Sequence, residues 1–283
     1  MLDSLLSKSE YIIREAVIAA ENSGKNVAML WSTGKDSTTT LYIARRIKPD
    51  ILVIHLDTGY KFPEIYEFRD RIAEEWSLNL LVKRAVSDKN PFNSDKFTCC
   101  MERKTKILRE AIEENNIGYL IVSIRNDEHA VRGKERHFSP RYDANALRML
   151  HELYGDDVPW ITEELKKQID EGGWIYLNQP TELWDLYQTE FPNAHHVRVH
   201  PLLDWPIEAV WEFIRREKIP VNPLYFQGYS SLGCWPCTQK TTTPSSSLDE
   251  LIEKLKKVEE RGGRAQDKED VHTMLMLRRA GYP

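Results

Sequence analysis

The sequence predicts an α/β fold, a parallel sheet with helices on both faces, followed by a C-terminal helical extension. Three observations carry that expectation: short apolar runs alternate with amphipathic stretches of helical period, the runs end in small-residue turns, and a Thr/Pro/Ser-rich linker precedes two polar helical stretches. With 283 residues, 41% hydrophobic and 29% charged, the chain can bury one large core, and its composition excludes disordered and fibrous classes.

The first helix is read over 5–23, where Leu5, Leu6, Ile12, Ile13, Ala16, Val17 and Ala20 keep helical spacing until Asn22-Ser23-Gly24 stops them. A strand follows at Val27–Trp31, then a loop and a helix from about Ser37 to Arg46. The run Ile51–Leu56 is a second strand, ending in Asp57-Thr58-Gly59. A helix over 63–76, a third strand over 78–82, a helix over 102–115 and a fourth strand over 118–123 complete the alternation. Ligands in such sheets sit beyond the carboxyl ends of the strands, which is where Ser32, Asp57 and residues 123–127 fall.

Residues 142–188 read as an excursion with a charged helix near 162–171 and exposed-type Trp160 and Trp174. The chain resumes at Val197, adds a helix over 207–216, and reaches its polar helices after Thr241–Ser247. Trp205, Trp211 and Ile214 read as core. The expected division is a first domain over 1–225, carrying the excursion, and a C-terminal segment over 226–283; no internal repeat is visible.

A net charge of -5 argues against broad nucleic-acid binding, which runs on phosphate neutralisation, although a local basic pocket fits it. No apolar run approaches the roughly 20 residues of a membrane span, and Met1-Leu2-Asp3-Ser4 lacks the basic start of a signal peptide, so a cytoplasmic chain is expected. Four cysteines in that compartment point to metal or redox chemistry before disulfides.

Ser32-Thr33-Gly34-Lys35-Asp36-Ser37 lies between strand and helix, where backbone N–H groups and the helix dipole favour an anion. Lys35 adds a point charge and Ser37 a hydroxyl. The spacing is not Gly-x-x-x-x-Gly-Lys-Ser/Thr, so a different phosphate cradle is expected, with an ordinary polar turn as the alternative. The loop resembles the Ser-Gly-Gly-Lys-Asp-Ser loop of the N-type ATP pyrophosphatases (PP-loop enzymes, of the adenine nucleotide alpha hydrolase-like fold), which cleave ATP between the α and β phosphates. Thr33 stands where that family usually has Gly, which tightens the room for a phosphate.

Leu56 to Tyr66, reading Leu-Asp-Thr-Gly-Tyr-Lys-Phe-Pro-Glu-Ile-Tyr, resembles a signature of the phosphoadenylyl-sulfate (PAPS) reductase superfamily. The resemblance implies that Asp57, Thr58 and Gly59 frame the adenosine side of the pocket; on sequence alone Asp57 equally suits a helix cap. Arg125-Asn126-Asp127-Glu128, with Arg132, Lys134-Glu135-Arg136, Phe138-Ser139 and Arg141, is similar to a region of the sulfate adenylyltransferase small subunit. Guanidinium forks suit tetrahedral oxyanions, so Arg125, Arg132 and Arg136 are candidate catalytic residues beside Lys35 and Ser37; a solvated charge run is the plainer reading. Glu182–Tyr187, Arg198–Leu202, Ile219–Tyr225 and Arg279–Tyr282 continue the resemblance over nearly the whole chain.

Cys99-Cys100 with Cys234-Trp235-Pro236-Cys237 makes two thiol pairs and leaves no cysteine over. The pattern looks like the cluster motif of bacterial adenylyl-sulfate reductases, and the resemblance implies a 4Fe-4S cluster on Cys99, Cys100, Cys234 and Cys237; zinc also accepts four thiolates, and unmetallated thiols are a third reading. Arg103 and Lys104 are expected to offset the charge of a thiolate-bound cluster and to face the substrate's anion.

No cysteine follows Cys237, which disfavours reduction through a covalent thiol intermediate. The expectation is therefore adenylyl transfer: an oxyanion, sulfate first, attacks the α phosphate of ATP with Mg2+ present, and pyrophosphate leaves. A GTPase partner subunit and an oligomer are implied by the family. The alternative acceptor is a nucleic acid, as in DNA phosphorothioation or RNA thiolation, with a cysteine desulfurase partner; a non-catalytic redox or nucleotide sensor is the third reading.

Overall fold

The computed structural model describes residues 1–87, 95–129, 132, 135–143, 189–191, 193–264, 271–279 and 281–283. From residue 144 on, the expected excursion and its helix lie outside the described residues, as does Lys134.

The described elements run α1 (Leu2–Asn22), β1 (Asn26–Leu30), α2 (Lys35–Ile47), β2 (Leu52–Asp57), α3 (Pro63–Glu75), β3 (Asn79–Arg84), α4 (Lys96–Cys100), a π-type turn (Met101–Thr105), α5 (Lys106–Glu114), β4 (Ile117–Ile121), β5 (Phe138–Arg141), β6 (His196–Val199), α6 (Ile207–Glu217), α7 (Pro223–Phe226), α8 (Leu248–Leu255) and α9 (Val271–Arg279). They build one six-stranded sheet in the order β3-β2-β1-β4-β6-β5. The first five strands in that order pair in parallel, as expected.

The last strand in that order is the edge exception to the parallel pattern. β5 pairs with β6 antiparallel, setting Phe138 against Val199 and Arg141 against His196. Its sequence, Phe-Ser-Pro-Arg, is too short and polar to read as a strand, and the edge position tolerates Pro140. The helix expected over 102–115 also differs, beginning at Lys96 and crossing the π-type turn before α5.

Strand side chains alternate between two cores. Val27, Met29, Tyr119 and Ile121 join α1, α2 and α6 on one face, while Ala28, Leu30, Leu120 and Ile54 meet α5 on the other. Burial on both faces explains why β1 and β4 are continuous apolar runs rather than alternating ones. Each fully buried Ile or Leu stabilises by about 1.5–3 kcal/mol, so Met29→Ala in the centre of this sheet costs about 2–5 kcal/mol. Trp205, Trp211 and Ile214 lie in the first core, as expected.

Strand order reverses between β1 and β4, which leaves a crevice outside their carboxyl ends. The Ser32–Ser37 loop and residues 122–125 meet there. The C-terminal segment folds back onto the same edge: Arg198 of β6, fully buried, donates to the carbonyls of Gly281 at 2.6 Å and Tyr282 at 2.8 Å. Upstream, Ser247 caps α8 by accepting the Glu250 N–H, and Glu250 accepts the Ser246 N–H in return. Among the described residues, no helix is long and apolar enough to cross a membrane.

Candidate functional site

The loop between β1 and α2 is closed by its own polar groups. Ser37 Oγ donates to the Gly34 carbonyl at 3.1 Å and lies 3.0 Å from Ser32 Oγ. Gly34 is the extended residue before α2, and the N–H of Lys35 points out of the helix start to Tyr225 Oη at 3.0 Å. Thr33 holds φ of +66°, the left-handed region that favours Gly. A glycine at this place, as in the resembled loop, adopts that angle at little cost. Thr33 is buried and its Oγ1 has no hydrogen-bond partner.

Lys35 is buried, with its ammonium 2.8 Å from Asp36 and paired to Glu260. Burial pulls its pKa down, but the carboxylates of Asp36 and Glu260 outweigh burial and hold it above the ordinary lysine value. Arg125, fully buried, pairs with Asp36, Glu260 and, at 3.0 Å, Asp127. Burial raises the Asp36 carboxyl, yet Arg125 and Lys35 bring it below the usual carboxylate range. Glu128 accepts from Arg132 at 2.5 Å and from Arg261 at 2.9 Å.

Lys35, Asp36, Glu128, Arg132, Glu260 and Arg261 border a cavity of about 160 Å³ at the crevice. Of the sequence-predicted residues, Ser32, Gly34, Lys35, Asp36, Ser37 and Arg132 line it. Arg125 reaches it through the carboxylates of Asp36 and Glu260. Arg136 is not in the lining; its backbone N–H donates to Ser139 Oγ at 3.1 Å.

Asp57, Thr58 and Gly59 are also outside this lining. Asp57 accepts the N–H of Gly59 and the hydroxyl of Tyr66, each at 2.8 Å, which makes it the cap of the turn after β2. Gly59 takes φ of +76°, open to glycine at little cost. Burial, then Asp57, pushes the Tyr66 phenol up to about 12. Thr58 instead faces the cysteines, with Oγ1 3.2 Å from Cys234 Sγ.

Cys99, Cys100, Cys234 and Cys237 ring a second, small cavity of about 20 Å³ together with Thr58, Arg103, Lys104 and Arg264. Residues 138 positions apart in sequence at the extremes are brought there by the pairing of Lys61 with Cys234, next to the turn that Asp57 caps. Burial and the neighbouring thiols of Cys100, Cys234 and Cys237 push the Cys99 thiol up to about 11. The donor set fits a group held by thiolates, with Arg103 and Lys104 at hand to offset its charge; among the described residues, no three His, Cys, Asp or Glu side chains already stand in metal-holding geometry.

The π-type turn directly after Cys100 aims two cations. Arg103 donates to the carbonyls of Thr58 at 3.0 Å and Ser87 at 2.8 Å, while Lys104 donates to Tyr282 Oη at 3.0 Å. Lys104 and Arg264 line both cavities and form the wall between them. Lys61, in the larger cavity, is brought down to about 8 by burial, with Lys104 and Arg264 adding to the effect.

Sequence reasoning missed Glu260, Arg261 and Arg264. The signal was present in Glu-Arg-Gly-Gly-Arg, a charged run whose glycines suit close packing rather than a solvated helix. Gly263 shows this: a Cβ there would come within 2.4 Å of the Gln239 carbonyl oxygen. A Cβ on Gly233 would meet the Arg264 guanidinium at 2.3 Å, so that arginine lies directly on glycine backbone.

The family model of the phosphoadenosine phosphosulfate reductase domain matches residues 26–240, which include the loop, the Asp57 turn and all four cysteines. The chain belongs to this family. It is an enzyme of the phosphoadenosine phosphosulfate reductase family, and curated relatives extend the likeness to its full length. Sulfate adenylyltransferase subunit 2 of Zymomonas mobilis is 31% identical, over 99% of this chain and 97% of that protein; the Escherichia coli O9:H4 protein of the same name is also 31% identical over the same shares. Among solved structures, the phosphoadenylyl-sulfate reductase of Candida auris covers 85% of this chain and 96% of its own, with a TM-score of 0.52 at 14% identity. The FMN adenylyltransferase of Candida glabrata gives 0.51 at 16% identity, over 89% and 75%. At such identities the likeness is one of fold.

Proposed function

We propose that the chain activates sulfate. ATP binds with its polyphosphate on the Ser32–Ser37 loop; a sulfate oxygen attacks the α phosphorus, the bond to the bridging α–β oxygen breaks, and pyrophosphate leaves with that electron pair. The observation that carries this reading is the buried Lys35 and the closed Ser32–Ser37 loop at the crevice between β1 and β4, in a chain resembling sulfate adenylyltransferase subunit 2 from end to end. The loop amides, Lys35 and Ser37 stabilise the leaving pyrophosphate, and Arg132 neutralises charge on the attacking anion. Arg125 acts through the carboxylates it orients. Catalysis is positioning and electrostatics, with Mg2+ accompanying ATP.

The four cysteines are proposed to hold a 4Fe-4S cluster, which, when bound, would supply a redox or sulfur-handling centre next to Lys104. As adenylyl-sulfate formation is uphill, a GTPase subunit is the proposed partner, and the cytoplasm the proposed compartment.

A second reading is sulfur insertion into a nucleic acid with a cysteine desulfurase partner. It is favoured by the shared wall, since Lys104 and Arg264 border both the nucleotide cavity and the cysteines.

The test is pyrophosphate release from ATP by anaerobically purified protein, with and without sulfate, and with iron determined in the same sample. Sulfate-dependent release that Lys35→Ala lowers about 100-fold supports the first reading. Release indifferent to sulfate in an iron-loaded protein moves the assignment to the second.

A further inference from the structure

Lys35, at the loop end of the cavity, and Arg125 share two carboxylates: Asp36, its neighbour in the loop, and Glu260, which arrives from the C-terminal segment. Glu260 receives the Lys35 ammonium on Oε1 and the Arg125 guanidinium on Oε2. It is held there from both sides: Ser230 Oγ donates to the Glu260 carbonyl at 2.7 Å, and the next residue, Arg261, is tied to Glu128 at 2.9 Å. Glu260 lies 225 positions from Lys35 and 135 from Arg125, so the contact is made by the C-terminal segment closing over the crevice.

A carboxylate with two charge-assisted hydrogen bonds at the head of a phosphate loop is in the place of a ligand oxyanion. Asp36 and Asp127 occupy the other faces of the two cations. An anion entering the cavity competes with Asp36 and Glu260 for Lys35, and of the two only Glu260 lies on a segment outside the loop.

We propose that Glu260 is a specificity-determining residue, an internal anion that admits polyphosphate to the loop and excludes single oxyanions such as sulfate. Resting on the nucleotide reading of this site, the proposal makes ATP bind before the oxyanion that attacks it. Pyrophosphate and ATP carry enough charge, spread over two or three phosphoryl groups, to satisfy Lys35 and the loop amides together and displace the carboxylate. Sulfate presents one strongly hydrated tetrahedron and gains too little from the exchange. Without Glu260, sulfate would settle where pyrophosphate must form and block the loop.

The experiment is calorimetric titration of the full chain, as wild type, Glu260→Gln and Ser230→Ala, with pyrophosphate, ATP and sulfate, each with and without Mg2+. Wild type binds pyrophosphate and ATP, and sulfate does not displace them. Glu260→Gln binds pyrophosphate roughly tenfold tighter without Mg2+, the effect of about 1.4 kcal/mol, and acquires a sulfate site competitive with pyrophosphate. Ser230→Ala, which only loosens the carbonyl anchor, shifts in the same direction by less and carries the test should Glu260→Gln not fold. Unchanged ion selectivity in Glu260→Gln overturns the inference alone. Weaker pyrophosphate binding confined to the Mg2+ titration also overturns it, making Glu260 a metal ligand. Wild type that binds neither pyrophosphate nor ATP overturns the nucleotide reading and this inference together.

Discussion

The hydroxyl of Tyr225 accepts the backbone N–H of Lys35 at 3.0 Å, joining α7 to the first turn of α2 across 190 positions of sequence. The first N–H groups of a helix have no partner within it, so a buried loop amide needs an acceptor from elsewhere. Burial pushes the Tyr225 phenol up to about 12, with Asp36 and Glu260 adding to it, and it stays protonated at neutral pH.

Tyr225→Phe removes that acceptor while keeping the ring. Leaving the Lys35 N–H buried and unpaired should cost about 1–3 kcal/mol of stability, read by urea unfolding. A loss under about 0.5 kcal/mol would mean that the amide finds another partner.

Thr33→Gly should stabilise the protein. The left-handed φ costs a β-branched residue about 1–2 kcal/mol, and the unpartnered Oγ1 adds to it, against a smaller entropy cost for Gly. The net gain expected is about 1 kcal/mol, seen as a higher midpoint of thermal unfolding; a lower midpoint would rule the strain argument out.

His55 links stability to pH. Its ring is buried in β2, with one nitrogen donating to the Trp31 carbonyl at 3.0 Å, and burial, then Lys61 and Arg69, bring its pKa from 6.5 down to about 3. The folded state thus binds fewer protons than the unfolded state between those values. Its contribution is complete above pH 6.5, declines as pH falls below 6.5 and is gone by about pH 3. Between pH 7 and pH 5 this amounts to about 2 kcal/mol. Unfolding curves at the two pH values should show the decline, and His55→Asn should flatten it.

Arg132 and Arg136 divide on position. Arg132 lines the cavity and Arg136 does not. Arg132→Ala should lower sulfate-dependent pyrophosphate release about 100-fold, and Arg136→Ala less than about threefold. Equal losses would place the acting arginine elsewhere.

Cysteine variants separate the readings of the second cavity. If Cys99, Cys100, Cys234 and Cys237 hold one cluster, each single Ser substitution should abolish the visible absorbance and most of the iron of anaerobically purified protein. Zinc in the wild-type protein, without iron, would select the alternative metal.

Much of this architecture is written locally. Apolar runs such as Val27–Leu30 and Ile117–Ile121 declare strands buried on both faces, and the small polar residues after them mark the crevice, because backbone preference and burial period act over a few neighbouring residues. The Ser32–Ser37 loop and the two cysteine pairs were legible for the same reason. β5 was not, since Phe138–Arg141 is a strand only by lying against β6.

The sequence by itself determined the mostly parallel sheet, the polar Ser32–Ser37 loop between strand and helix, and the two cysteine pairs. Only the tertiary structure decided that Asp57 caps a turn outside the larger cavity, that Arg125 is consumed by carboxylates, and that Glu260 stands at Lys35. Those outcomes depend on which side chains the chain topology brings within about 3 Å of one another, and ion pairing across more than a hundred residues leaves no periodic trace in sequence.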